Sequence, residues 1–309
     1  MPITEDTLTQ WFRDQRPMDP KKILIGIGDD MAQISLAPHQ SVLITTDMLL
    51  EGIHFNLARA TLEQVGYKSM AASLSDCAAM ACEPAGAVIS LGLPQSLALE
   101  QLKKLHQGLL KAADRFNCPI VGGDLTRGSQ SLVINVALLG VPMQAKPVQR
   151  YGARPDDILL VTGTLGGSLA GHHLEFCPRL AEARRLTELV DIHAMMDLSD
   201  GLSIDLHRLC RASGVGARIQ SATLPLSSAA LAQKRPVQAA LNDGEDFELL
   251  LAVSPEDVLD LHKQWDLETP LHPIGHCTTD LDLWLQDERG HWSNLNPAGY
   301  DHFHQENHP

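Results

Sequence analysis

Acidic and hydroxyl side chains follow two short apolar segments within the first fifty residues. They are Asp29, Asp30, Thr45, Thr46 and Asp47. Carboxylates held together at strand ends repel one another and resist desolvation, so such a site is costly unless cations or hydrogen-bond donors face it. Oxygen ligands of this kind suit Mg²⁺, which completes its coordination shell with water and substrate phosphates. The alternative is a solvated hairpin with acidic turns.

Further acidic groups recur beside apolar elements later in the chain. Three of them stand with glycine or serine, in the segments Gly122 to Asp124, Asp197 to Gly201 and Asn242 to Asp246. Glycine leaves backbone N–H groups accessible, so a glycine loop beside a carboxylate can hold a phosphate together with its metal ion. Asp76 lies inside the predicted helix Thr61 to Cys82, where small neighbours indicate a packed face. This repetition favours phosphate chemistry that depends on several metal ions.

The elements that must position these residues alternate between strand and helix. A strand is predicted from Ala85 to Leu93 and an amphipathic helix from Leu97 to Phe116. A brief strand, Pro119 to Val121, is expected to run into a loop that begins at Gly122. The second half continues the alternation, starting with the strand Ile158 to Thr162. This alternation indicates an α/β or an α+β architecture in each half, and we predict a sandwich-like α+β fold.

A change of composition marks the expected domain boundary. The segment from Pro142 to Asp157 is rich in proline and basic residues and contains no apolar run. Such segments commonly separate domains. We therefore predict an N-terminal domain of residues 1–141 and a C-terminal domain of residues 142–309.

Composition argues against several classes of protein. The 309 residues carry a formal charge of −14 without Lys or Arg tracts, which argues against nucleic-acid binding. No run approaches the ~18 apolar residues of a membrane span, and the start MPITEDTLTQWF lacks the layout of a signal peptide. We expect a cytoplasmic protein with reduced cysteines and no membrane partner. The P-loop, protein-kinase, GxSxG and HExxH motifs are absent.

Seven motifs follow one another along the chain: GIGDDMA, TTDMLLEGIHF, SLSDCAAM, GGDLTRG, RYGARPDD, MDLSDGLSIDL and NDGEDFELL. Their order and approximate spacing resemble those of the thiamine-monophosphate kinase family, within the aminoimidazole ribonucleotide synthetase-like superfamily. The resemblance implies a two-domain architecture in which the N-terminal sheet forms a homodimer interface. It also implies that ATP binds in a cleft between the subunits or the domains, where the C-terminal domain completes the active site.

The resemblance further implies Mg²⁺-dependent transfer of the ATP γ-phosphoryl group to thiamine monophosphate. It implies several Mg²⁺ ions and leaves a requirement for K⁺ open. The implied metal ligands are Asp30, Thr45, Thr46, Asp47, Asp76, Asp124, Asp197 and Asp200. The implied ATP-binding residues are Gly123, Asp124, Arg150 and Ser199, and the implied substrate contacts are His54, Glu245 and Tyr300. No general base is assigned, because the acceptor is a phosphate oxygen that is largely deprotonated near neutral pH.

Three positions depart from the family pattern. Asp156 and Asp243 stand where glycines are expected, and Gly167 stands where an acidic residue is expected. Two alternatives stay open beside the kinase. One is another ATP-dependent enzyme of the superfamily, similar to aminoimidazole ribonucleotide synthetase. The other is a non-catalytic acidic module, which would show metal-dependent stability without ATP turnover.

Overall fold

The structure is a computed structural model that describes residues 4–15, 18–37 and 40–303. Six strands form the first sheet: β1 Ile23–Ile25, β2 Ala32–Ala37, β3 Gln40–Leu50, β4 Cys82–Pro94, β5 Ile120–Ser129 and β6 Val133–Pro142. Their order across the sheet is β1-β2-β3-β6-β4-β5. The pairing is antiparallel except between β4 and β5, which run parallel because a crossover helix connects them.

Seven strands form the second sheet: β7 Ile158–Thr162, β8 Ile192–Asp197, β9 Gly216–Gln220, β10 Leu249–Val253, β11 Leu271–Thr278, β12 Leu283–Gln286 and β13 Trp292–Asn294. Their order is β13-β12-β9-β11-β7-β10-β8. The central strands β7 and β10 are rich in Leu and Val and buried on both faces, as expected for strands covered by helices.

The α-helices are α1 Glu5–Asp14, α2 Leu62–Ala79, α3 Leu99–Arg115, α4 His172–Glu175, α5 Leu180–Leu189, α6 Leu202–Ser213, α7 Ser228–Leu231, α8 Pro236–Asn242 and α9 Pro255–Gln264. Two short 3₁₀ turns, Ser168–Ala170 and Ser221–Thr223, complete the helical elements of the described chain. Among these helices, none has both the length and the apolar character needed to cross a bilayer.

Helices α2 and α3 pack closely against one face of the first sheet. The predicted capping box begins α2: the Thr61 hydroxyl accepts from the Gln64 backbone N–H, and the Gln64 side chain accepts from the Thr61 N–H. Glycines allow the close approach, because a Cβ added at Gly66 or Gly108 would lie 2.1 Å or 1.9 Å from a carbonyl oxygen of the other helix. A larger residue at either position would push the helices apart.

Helix α2 also contacts the second half of the chain. It packs against α5 and β8, and the Tyr67 hydroxyl donates to the Phe176 carbonyl oxygen at 2.9 Å. One buried cluster accordingly joins Met70 and Leu74 of α2 to Leu160 and Met195 of the second sheet. Side chains along α2 are therefore held between the two sheets.

The two-sheet α+β architecture confirms the expected fold class. One local prediction was wrong: Gly122 to Asp124 do not form a loop but continue β5, in register with β4. The pattern was misleading because glycines usually end a strand, whereas here Gly123 lets β4 come close: an added Cβ would lie 1.9 Å from the Ile89 oxygen. No strand or helix lies between Pro142 and Ile158, and the exact domain boundary stays a prediction.

Candidate active site

Three carboxylates from distant parts of the chain meet where α2 lies between the sheets. Asp30 follows β1, Asp76 lies near the end of α2, and Asp197 is the last residue of β8. One oxygen atom from each lies within 4.8 Å of the other two. We call these three residues the acidic cluster. Its oxygen atoms are the ligands that Mg²⁺ and Ca²⁺ prefer.

The acidic cluster is electrostatically unfavourable without a cation. Desolvation, together with the charges of Asp47, Asp197 and Asp30, raises the pKa of Asp76 well above its ordinary value. Desolvation and the charge of Asp30 also raise the pKa of Asp197. Asp30 Oδ2 is buried and has no hydrogen-bond partner among the described residues. A divalent cation would satisfy this oxygen and remove the repulsion.

Hydroxyl groups hold the acidic side chains in place. Thr45 of β3 donates to Asp76 Oδ2, and Ser75 of α2 donates to Asp197 Oδ2 at 2.5 Å. Ser73, also on α2, donates to Asp47 Oδ2 at 2.5 Å and opposes the rise in the pKa of Asp47 that burial causes. Sequence reasoning missed both serines. Ser73 had a signal in helical spacing, because it lies three residues before Asp76 on α2, whereas Ser75 had none, since its partner Asp197 lies on β8.

Arg150 reaches the acidic cluster from the segment between the sheets. Its Nη2 donates to Asp30 Oδ1 at 2.7 Å, and its backbone N–H donates to Asp29 Oδ1 at 3.2 Å. Desolvation and the neighbouring charge of Asp30 raise the pKa of Asp29 to about 7. The predicted phosphate-binding arginine therefore lies beside the predicted metal ligands.

A cavity of about 430 Å³ lies beside Asp47. The predicted site residues along its wall are Thr46, Asp47, His54, Ser199, Asp200, Glu245 and Tyr300. They come from β3 and the turn after it, from the loop after β8, from the loop before β10 and from the end of the described chain. The fold thus gathers residues assigned to metal, nucleotide and substrate around a space large enough for a small molecule.

His54 is kept uncharged in this wall. Its Nδ1 accepts a hydrogen bond from the Leu50 backbone N–H at 3.0 Å. Desolvation, followed by the nearby His302 and Lys68, lowers its pKa to about 4. The His302 ring lies 5.0 Å from the His54 ring and 4.7 Å from the Tyr300 ring, measured between centroids. These rings form an aromatic side of the cavity.

Glu245 is held by contacts on two sides. Its Oε1 lies 2.6 Å from the Nζ of Lys68, and its backbone N–H donates to the Ser199 carbonyl oxygen at 2.7 Å. The Glu245 backbone has a φ of +64°, which is uncommon for a residue other than glycine. Sequence reasoning missed Lys68. Its signal was the spacing of four that places Lys68, Ala72 and Asp76 on one side of α2.

Two of the three departures from the family pattern meet in space. The Gly167 backbone N–H donates to Asp243 Oδ2 at 2.9 Å. Gly167 has a φ of +73°, and an added Cβ would lie 2.6 Å from the Ala229 Cβ. Position 167 therefore lacks the expected acidic side chain, but the Asp243 carboxylate lies at the same turn. The third departure, Asp156, has a φ of +72°, a conformation in which glycine is favoured.

Asp200 does not join the acidic cluster. Its Oδ2 accepts from Arg208 Nη1, which also donates to Asp205 Oδ1 at 2.9 Å. The Asp200 backbone N–H donates to Asp205 Oδ2 at 3.1 Å. Arg208 and Asp205 were not singled out from sequence, although both lie on α6 directly after the DLSDG motif. Asp200 is therefore paired, at the edge of the cavity, with an arginine that it shares with Asp205.

Asp124 also lies apart from the acidic cluster. Across the first sheet, Asp47 is paired with Val136, Val136 with Ile89, and Ile89 with Gly123. Asp124 is therefore three strands away from Asp47, which is about 14 Å at ordinary strand spacing. It is exposed on the sheet face opposite α2, because it is in register with Ser90 and, through β6, with the exposed Met48. Thr46 shares this open face, where its hydroxyl accepts from Asn135 Nδ2 at 2.8 Å.

Family models, curated relatives and solved structures indicate the same family for this chain. Models described as "AIR synthase related protein", N-terminal and C-terminal domain, match residues 28–142 and 154–285. A thiamine-monophosphate kinase of Rhodopirellula baltica is 38% identical over 96% of this chain and 97% of its own length. One from Escherichia coli K12 is 35% identical over 90% and 92%. A solved structure described as "AaThiL complexed with AMPPCP and TMP" is 28% identical, with a TM-score of 0.80 over 96% of this chain and 95% of that one.

Proposed function

The chain belongs to the thiamine-monophosphate kinase family of AIR synthase related proteins, and on that basis we propose that it converts thiamine monophosphate and ATP into thiamine diphosphate and ADP. The bond between the γ-phosphorus and the β–γ bridging oxygen of ATP breaks, and a phosphate oxygen of thiamine monophosphate forms the new bond. The observation that carries this proposal is the acidic cluster beside a cavity lined by His54, Glu245 and Tyr300. Because ATP is an intracellular nucleotide, we also place the reaction in the cytoplasm.

We assign several Mg²⁺ ions to the site. The residues that would hold them are Asp30, Asp76 and Asp197 of the acidic cluster, with Thr45 and Asp47 beside it. The family resemblance adds Thr46, Asp124 and Asp200, which lie apart from the cluster within one protomer. Support comes from the all-oxygen donor set of the acidic cluster and from the unpartnered Asp30 Oδ2. When bound, magnesium neutralises the charge of two phosphate groups that would otherwise repel each other.

Arg150 and Ser199, with Gly123 and Asp124, are assigned to the phosphates of ATP. The planar guanidinium of Arg150 can bind phosphate oxygens through two parallel N–H groups, and its contact with Asp30 holds it in place. No side chain needs to remove a proton, because the accepting phosphate oxygen is largely ionised at neutral pH. The chain therefore contributes mainly by positioning the two substrates.

The aromatic side of the cavity is assigned to the thiamine moiety. Thiamine carries a positively charged thiazolium ring, which neutral His54 does not repel. The Glu245 carboxylate provides an opposite charge, and the Tyr300 ring can face a cation. The Tyr300 backbone N–H donates to the Asp200 carbonyl oxygen at 3.0 Å, so the substrate side and the Asp200 side of the cavity are connected.

We assign the open face of the first sheet to a homodimer interface. Its exposed apolar side chains include Met48, Val88, Val121 and Leu139. An apolar surface of this kind is typical of a protein interface. Asp124 lies on the same face, about 14 Å from Asp47 of its own chain. A second protomer on this face could therefore supply Asp124 of the partner subunit to the metal site, which one protomer alone leaves incomplete.

Mixing two inactive variants tests this arrangement. Asp47→Asn and Asp124→Asn should each abolish turnover in their own homodimers. If Asp124 acts across the interface, a heterodimer holds one site with both changes and one intact site. Unfolding and refolding an equal mixture should then recover about a quarter of wild-type activity, because half the dimers are mixed. If Asp124 acts within its own chain, no mixed dimer has an intact site and the mixture stays inactive.

An ADP-release assay with ATP, Mg²⁺ and a panel of phosphorylated acceptors tests the activity. We expect turnover with thiamine monophosphate and with no other acceptor of the panel. Turnover with formylglycinamidine ribonucleotide instead would favour an enzyme like aminoimidazole ribonucleotide synthetase. Stabilisation by Mg²⁺ without ADP release from any acceptor would favour the non-catalytic module.

A further inference from the structure

Lys68 is a buried lysine that lines the cavity. Its side chain is only 1% exposed and projects from α2 among small and apolar neighbours. Removing an ammonium group from water is very unfavourable unless the charge is paired and hydrogen-bonded. The position of Lys68 therefore depends on the groups around its Nζ.

Within the described part of the chain, both hydrogen-bond partners of the Lys68 ammonium belong to residues assigned to the thiamine moiety. Nζ donates to Glu245 Oε1 at 2.6 Å and to the His54 carbonyl oxygen at 2.5 Å. His54 belongs to the N-terminal half of the chain and Glu245 to the C-terminal half. Lys68 is thus a bridge between two walls of the cavity that are 191 residues apart in sequence.

Glu245 depends on such a bridge for its orientation. Its left-handed backbone, with φ at +64°, is a conformation that persists only when surrounding contacts maintain it. The hydrogen bond to the Ser199 carbonyl oxygen holds its backbone, and Lys68 holds its carboxylate. A rigid helix provides the lysine, so the carboxylate is placed by packing that exists before substrate binds.

We infer that Lys68 is a positioning residue for thiamine monophosphate. It directs the Glu245 carboxylate, and with it the backbone at His54, toward the thiazolium side of the cavity. Lys68 does not touch the phosphates in this assignment, so its effect should fall on the KM for thiamine monophosphate and not on the KM for ATP. The inference rests on the proposed function, because it presupposes thiamine monophosphate as the substrate.

The Lys68→Met variant keeps an unbranched side chain, one atom shorter, and removes its charge. We expect a rise of about tenfold in the KM for thiamine monophosphate, with the KM for ATP changed by less than about twofold, because a hydrogen bond to a charged group is lost. Ser69→Ala is the matched control. Ser69 is also buried on α2, but its hydroxyl donates to the Val65 carbonyl oxygen, so both KM values should stay near wild type.

A double-mutant cycle separates positioning from general stabilisation. If Lys68 acts through Glu245, adding Lys68→Met to Glu245→Gln should raise the KM for thiamine monophosphate by less than about twofold. This double variant also leaves no unpaired buried charge, so it serves if Lys68→Met alone does not fold. A further increase of fivefold or more in the double variant would overturn the assignment, as would an unchanged KM in a folded Lys68→Met. Absence of thiamine diphosphate from the wild-type reaction would instead overturn the proposed function and the inference together.

Discussion

Two groups of buried acids in this protein differ in what neutralises them. Beside the second sheet, Arg179 donates from Nε and Nη2 to both carboxylate oxygens of Glu248, at 2.6 and 2.5 Å. Its Nη1 also donates to Glu182 at 3.3 Å and to Thr269 at 3.1 Å. We call this set the arginine network. In the acidic cluster, hydroxyl groups face Asp76 and Asp197, and Arg150 pairs with only one oxygen of Asp30.

The difference indicates which group is structural and which is functional. A buried carboxylate paired bidentately with arginine is complete without a ligand. Carboxylates that face one another are a persistent cost, and a fold keeps such an arrangement where it serves binding or catalysis. Buried acids are therefore informative about function only when their counter-charges are considered with them. The predictions below separate the two groups.

The largest effect is expected from Asp197→Asn in the acidic cluster. It should lower kcat on the order of 1000-fold, because a metal ligand stabilises transition-state charge by several kcal/mol. The fold should be retained, since the change also removes repulsion. The matched control is Glu182→Gln in the arginine network, whose folded fraction should keep kcat within about threefold. Near-normal turnover of Asp197→Asn at saturating Mg²⁺ would contradict the metal assignment.

Next in size is the effect of Arg179→Met on stability. Removing the arginine leaves Glu248 buried without its partner, which typically costs about 3–5 kcal/mol. Urea unfolding followed by far-UV circular dichroism measures this loss. Since Arg179 does not line the cavity, the KM values of the remaining folded protein should not change. A loss below about 1 kcal/mol would show that the arginine network is not essential for folding.

A smaller effect of opposite sign is expected from Asp76→Asn without divalent cations. Replacing one of three repelling carboxylates should raise the unfolding temperature by roughly 3 °C, since relief of about 1 kcal/mol shifts a chain of this size by a few degrees. Adding Mg²⁺ should stabilise the wild type and have little effect on the variant. Thermal scans with EDTA or Mg²⁺ measure both. A lower unfolding temperature for the variant in EDTA would contradict the account of repulsion.

The smallest effect concerns His54, a base that is kept neutral beside these acids. Its pKa is about 4 in the folded chain, against an ordinary value of 6.5. Between these values the unfolded chain takes up a proton that the folded chain does not, so His54 makes stability fall as the pH decreases from 6.5 toward 4. The unfolding temperature of His54→Gln should therefore fall by about 2 °C less than that of wild type between pH 7.5 and 5, the effect being reduced by solvent screening of the partly exposed ring. An equal fall in both proteins would mean that His54 is protonated in the fold.

Local patterns along the chain were sufficient to predict an α/β or α+β architecture, the α2 capping box and the acidic ends of the strands. These features depend on short-range spacing and on the cost of burying charge, both of which can be read from neighbouring residues. Motif resemblance added the family and the roles of the site residues. The strand character of Gly122 to Asp124 was missed, because it depends on pairing with β4 and not on local preference.

Only the tertiary structure decided which acids converge. Asp30, Asp76 and Asp197 meet because α2 is packed between two sheets, whereas Asp124 is three strands away from Asp47 and Asp200 is paired with Arg208. The partners of Lys68 could not be read from sequence for the same reason, since they lie on other elements. Spacing along a chain determines which residues share a face of one element. Distances between elements depend on how their faces pack. In this protein those distances distinguish the acidic cluster from the acids that are paired with arginine.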